Sequence, residues 1–107
     1  MIRYKAGDGG EVSGSPVGRA LAVRREGKGW VVDHVPTGRR VNRTPFAARD
    51  AAVKMAAWIG GLGGWGLADT DPGSAIPPGP LRDAIGRHEE DLHKAESQAA
   101  AAKKKGG

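Results

Sequence analysis

The chain has 107 residues, no cysteine and a net charge of +5. That length supports one small core with tails rather than two cores, with marginal stability unless a partner helps. The lack of cysteine excludes disulfides and thiolate metal sites and suits a reducing cytoplasm. The opening MIRYKAGDGG has no apolar h-region, and no apolar run reaches membrane-spanning length. A soluble, cytoplasmic protein that is not exported by a cleaved signal is the expectation. Charge is uneven along the chain. Residues 1–60 carry eleven Lys/Arg against five Asp/Glu, and residues 61–107 carry six against seven. The basic excess therefore belongs to the first half, which suits a nucleic-acid-facing domain.

In chain order, IRYKA (2–6) alternates apolar and basic residues and reads as a candidate edge strand, while GDGGEVSGSPVG (7–18) has loop composition. RALAVRRE (19–26) sets Leu21 and Val23 against Ala20, Ala22 and Arg24, the pattern of a half-buried strand. After the tight connection GKG, WVVDHV (30–35) reads as a second strand stopped by PTG (36–38). RRVNR (39–43) reads as a third, with Val41 on one face and Arg40 and Asn42 on the other.

The period then changes. Ala48, Ala51, Ala52, Met55, Ala56 and Ile59 form one helical stripe, with Arg49, Asp50 and Lys54 turned away. Thr44-Pro45 and Gly60-Gly61 are its candidate start and stop. Residues 61–80 are Gly/Pro-rich and read as a flexible linker. Residues 81–105 read as a separate C-terminal helix, with Leu81, Ile85, His88, Leu92, Ala95 and Ala99 at heptad spacing. With so flexible a linker, that helix is expected to pair with a second copy or stay solvated rather than dock. The KKK run near its end reads as a solvated basic tail. The fold class is α+β: a three-stranded antiparallel sheet, or four-stranded with residues 2–6, packed on one helix over residues 1–60.

The motifs that suggest chemistry give no reaction centre. In HEEDLH (88–93) the histidines are five apart, about 140° around a helix, whereas shared metal ligation needs i, i+4. GGLGGWG (60–66) follows a helix rather than a strand, so it is not a phosphate loop. DTD (69–71) reads as a solvated turn. His34 shares a face with Trp30 and Val32 and reads as a packed imidazole. No catalytic residue, metal or cofactor is expected, and the chain reads as a binding protein. Its remaining signal is the basic hairpin, where residues 19–43 hold seven Lys/Arg against two Asp/Glu.

From Val23 to Trp58, GWVVDHVPTGRRV followed by FAARDAAVKMA resembles the AP2-type DNA-binding domain. It is equally similar to the arm-type DNA-binding domain of phage and transposon tyrosine integrases. Trp30, Gly38, Phe46 and Ala51-Ala52 carry the resemblance. It implies a three-stranded sheet on one helix, with the free face of the sheet entering the major groove. Asp33, Arg40 and Asn42 then take groove-facing positions, and Arg24 is a looser match. The chain departs from the pattern at Arg43-Thr44-Pro45, which replace a Leu-Gly, and at Ala48, which replaces a capping threonine. Val31 and Val35 would also face outward, where they cannot read bases by hydrogen bonds and invite a covering segment.

The resulting expectation is an accessory protein of a phage or mobile element that binds nucleic acid, duplex DNA in the first instance. Arg24, Arg40 and Asn42 would be central, with Arg25, Lys28, Arg39 and Arg43 on phosphates. The alternative is a protein-interaction module or homodimer using Val31, Val35, Leu81, Ile85 and Leu92.

Overall fold

The computed structural model describes residues 1–7 and 9–106, with side chains through residue 100. The fold is α+β. Five strands run as β1 (Ile2–Lys5), β2 (Glu11–Val17), β3 (Leu21–Glu26), β4 (Gly29–His34) and β5 (Arg39–Arg40), followed by α1 (Arg49–Gly60) and α2 (Gly79–Gly106). The strands form one antiparallel meander in the order β1-β2-β3-β4-β5.

The loop expected at 7–18 is instead largely the strand β2. Its first half pairs with β1, ending at Ile2↔Gly14, and its second half pairs with β3 from Ser15↔Val23. Pro16 lies beyond the last β1 pair, so it interrupts no ladder on that side. This change of partner lets the sheet curl until β1 reaches across to β4, where the Tyr4 hydroxyl donates to Asp33 Oδ2 at 2.8 Å. Gly14 permits the curl. A Cβ there would come within 2.9 Å of the Tyr4 hydroxyl and 3.0 Å of the Val23 carbonyl oxygen. Gly38, at φ +73°, packs against the Lys5 carbonyl oxygen, where no side chain fits.

The curl gives the sheet two covered faces. On one side Leu21, Val23 and Val32 pack with Phe46, Ala51, Ala52, Met55, Ala56 and Ile59 of the helix layer. This is the stripe that the Ala/Met/Ile spacing predicts. On the other side Ala22, Val31 and Asp33 are fully buried, and Tyr4 of the folded-over β1 reaches Asp33. Val31 is therefore not an outward, partner-facing residue.

The segment at 61–80 is not a free linker. Trp65 is buried in the core cluster, Leu62 and Leu67 pack beside it, and the Trp65 indole donates to the Ser74 carbonyl at 2.5 Å. Asp71 caps one turn of 3-10 helix at Pro72–Ala75 by accepting from Gly73 N–H at 3.1 Å. Here the glycines let the chain bend tightly around a buried indole.

The segment returns the chain to the body, and α2 docks on α1 and the segment that precedes it. Ile85 is buried, and Leu81 and Leu92 are half-buried against the core. His88 stacks on Trp58 with centroids 4.2 Å apart, and His93 stacks on Phe46 at 4.5 Å. The expectation of self-pairing or a solvated helix is thus overturned for Leu81, Ile85 and Leu92. Their heptad seam is real, but its partner is the same chain. Ala95 and Ala99 are exposed and line a shallow groove opposite Ala48, Ala51 and Lys54 at the start of α1. The Lys103–Lys105 side chains, read above as a solvated tail, lie outside the described residues.

Candidate nucleic-acid interface

The N–H groups at the start of a helix need acceptors, and Ala48 at the N-cap of α1 has no side chain to supply one. Two glutamates of α2 supply acceptors instead. Glu96 accepts from Ala47 N–H at 3.1 Å and from Ala48 N–H at 2.8 Å. Two helical turns earlier, the buried Glu89 accepts from Arg43 N–H at 2.9 Å and Thr44 N–H at 3.0 Å. His93 lies between them, with Nε2 3.2 Å from Glu89 and Nδ1 3.7 Å from Glu96. These contacts hold the backbone from Arg43 to Ala48 and so fix where Arg43 projects.

The hairpin arginines divide into two groups. Arg24 is only 12% exposed, and its Nε bonds the fully buried Asp33 at 2.5 Å. Burial disfavours its charge, but the hydrogen bond and charge of Asp33 outweigh this and hold the guanidinium more firmly protonated. Arg40 pairs with Glu26 at 2.6 Å across the hairpin and stays 40% exposed. Asn42 is buried. Its Oδ1 accepts from Val32 N–H at 2.9 Å, and its Nδ2 donates to the Thr44 carbonyl at 2.8 Å. The side chain thus continues the β4–β5 ladder after β5 ends. Asn42 and Arg24 are corrected from groove readers to residues that hold the fold, and Asp33 likewise turns inward.

The second group comprises Arg25, Lys28, Arg39 and Arg43. All are exposed, and among the described residues none forms an ion pair. Arg25 and Lys28 belong to the β3–β4 hairpin end, Arg39 to the edge strand β5, and Arg43 to the segment beyond it. That segment returns alongside β4, where Phe46 bridges to Trp30, itself the cross-strand partner of Arg25. Arg39 and Arg43 therefore lie along the β5 edge, and Arg25 and Lys28 sit at the hairpin end of β3 and β4.

Sequence reasoning missed Tyr4, Glu89, Glu96 and His93 as organising residues. For Tyr4 the signal was present, because it alternates with exposed Arg3 and Lys5 in IRYKA. His34 is a packed imidazole, as its place beside Trp30 and Val32 predicts. Its Nε2 contacts the Leu67 carbonyl, which can only accept, so that nitrogen carries the proton. In the neutral ring Nδ1 then accepts from the Thr37 hydroxyl at 2.8 Å. Val35 is half-buried, with its N–H on the Ala20 carbonyl.

Burial, then the hydrogen bond and charge of Asp33, push the Tyr4 phenol well above its ordinary value. Below about pH 10 the phenol is protonated in both the folded and the unfolded chain and makes no pH-dependent difference. Above that, only the unfolded chain gives up the proton, so stability should fall as pH rises. Tyr4 is the single tyrosine. An alkaline titration followed by tyrosinate absorbance should show no step near pH 10, and ionisation should coincide with loss of the fold. A normal step with the fold intact would contradict the Tyr4–Asp33 contact.

Among the described residues no group of His, Asp or Glu is arranged to hold a metal ion, and no helix is long and apolar enough to cross a membrane. Comparison with protein-family models, with curated proteins and with solved structures finds no match to this chain.

Proposed function

We propose that this protein binds nucleic acid, duplex DNA in the first instance, through its phosphate backbone along the basic β5 edge and the β3–β4 hairpin end of the sheet. The observation that carries the reading is the set of exposed, unpaired cations Arg25, Lys28, Arg39 and Arg43. Arg40 adds a fifth cation at the same edge, partly neutralised by Glu26. Phosphate contacts of this kind fix position and supply affinity without reading sequence. Groove entry by an open sheet face, the mode implied by the AP2-like resemblance, fits less well, because Val31 and Asp33 are fully buried and Tyr4 of β1 bonds Asp33.

The rival reading, a protein-interaction module, loses most of its surface. Val31 and Ile85 are buried, and Val35, Leu81 and Leu92 are half-buried against their own chain.

The test is a fluorescence titration of random-sequence duplex DNA at a series of salt concentrations. Four neutralised phosphates give a log–log slope of about −3 to −4. Absence of binding at low salt, or binding indifferent to salt, would overturn the proposal.

A further inference from the structure

We propose a second binding site, for the C-terminal end of a partner polypeptide: its last, aliphatic side chain and its free carboxylate. The site is a groove of about 220 Å³ between the segment after β5, the turn at Pro72–Ala75 and the first half of α2. Val41, Ile76, Pro77 and Ile85 give it an apolar lining, and Arg43 and Arg82 also line it.

This apolar surface is held in place and left open. Ile76 is 50% exposed, and among the described residues only Met1 is a comparably exposed large hydrophobic. Its N–H bonds the Gly73 carbonyl at 3.1 Å, and Arg82 N–H bonds the Pro78 carbonyl at 2.8 Å, so both ends of the short segment between them are fixed. The one carboxylate in the lining, Glu89, has its oxygens on the N–H groups of Arg43 and Thr44. Among the described residues neither Arg43 nor Arg82 has an ion-pair partner. The groove therefore offers an apolar floor beside two arginines without ion-pair partners, which with Glu89 leaves its lining a net charge of +1.

Gly86 supplies an independent observation. Glycine is a poor residue for a helix interior, and α2 carries this one well inside its length. No atom lies within 4 Å of where its Cβ would stand, so no neighbour requires the missing side chain. The missing side chain instead widens the groove that Gly86 lines. The volume is below the usual range for small-molecule pockets and suits about one side chain. A chain end is the peptide chemistry that presents an aliphatic side chain and a carboxylate from a single residue. Paired arginines match that carboxylate by forked, charge-assisted hydrogen bonds.

This site shares Arg43 with the proposed nucleic-acid surface but does not rest on that reading, and the test, which leaves Arg43 unchanged, keeps the two apart. Short fluorescent Gly/Ser peptides ending in Val, Ile or Leu, as free acids and as C-terminal amides, are titrated with the full chain. At least one free acid should bind, with its amide weaker by tenfold or more. Arg82→Ala should weaken binding roughly tenfold to a hundredfold, the loss of one charged hydrogen-bonded pair. Gly86→Leu should remove binding while the chain melts no lower than the parent, since leucine favours the helix. Gly86→Ala serves as a folding control and should melt higher than the parent. Duplex DNA affinity should be unchanged in Gly86→Leu. The proposal fails if no free acid binds, if amides bind equally well, or if Gly86→Leu still binds peptide. It also fails if Gly86→Leu loses DNA instead, which would make the groove a nucleic-acid surface.

Discussion

Phe46→Ala is expected to cost about 3–5 kcal/mol and to leave a large share of the chains unfolded at room temperature. Phe46 is fully buried where three layers meet. Its backbone bridges Trp30 at the sheet edge, its ring packs with Met55 and Ile59 in the core cluster, and His93 of α2 stacks on it. No single neighbour can close the cavity left by its loss, because each belongs to a different element. Urea denaturation followed by tryptophan fluorescence reads the change. A variant that melted like the parent would contradict the packing of sheet, α1 and α2 around this ring.

Arg24→Ala should be nearly as damaging, at about 3–5 kcal/mol, although it removes a residue on the nominally basic hairpin. The cause is Asp33, wholly buried, which would keep only the Tyr4 hydroxyl as a partner for its charge. Among the described residues Asp33 Oδ1 already lacks a hydrogen-bond partner, so the carboxylate has little compensation to spare. In a Tyr4→Phe background, where no hydroxyl is left without its acceptor, Arg24→Met combined with Asp33→Leu should recover most of the loss, because a buried ion pair replaced by apolar groups is close to neutral. The double-mutant cycle in urea measures this coupling. Additive losses would show that Arg24 acts as a surface cation after all.

The contrast between Arg24 and Arg25 shows how far the sequence could be read. Strand alternation places them on opposite faces, and hydrophobic spacing locates β3, β4, α1 and the seam of α2. What spacing cannot express is a sheet that folds over itself. Ser13, Gly14, Ser15 and Pro16 have turn composition, yet Gly14 is small because Tyr4 and Ala22 close over it. The outward assignment of Asn42 assumed that alternation continues past Arg40. Val41 N–H still bonds the Val32 carbonyl, but the Asn42 side-chain oxygen, not a backbone carbonyl, accepts from Val32 N–H. Composition also made 61–80 look flexible, because glycine marks both loose chain and chain folded tightly around a tryptophan. The α2 seam was legible for the same reason its partner was not: periodicity gives a face, while the acceptors at Glu89 and Glu96 decide what it covers.

The division of the hairpin cations into free and fold-holding groups is the central claim, and one comparison tests it. The salt dependence of duplex DNA binding is measured for the parent and for a variant carrying Arg25→Gln, Lys28→Gln, Arg39→Gln and Arg43→Gln. The four side chains are exposed and unpaired among the described residues, so the variant should keep the parent's melting behaviour. Its log–log salt slope should fall from about −3 to −4 toward zero, with binding largely lost at physiological salt. A folded variant that kept the parent's slope would contradict the account.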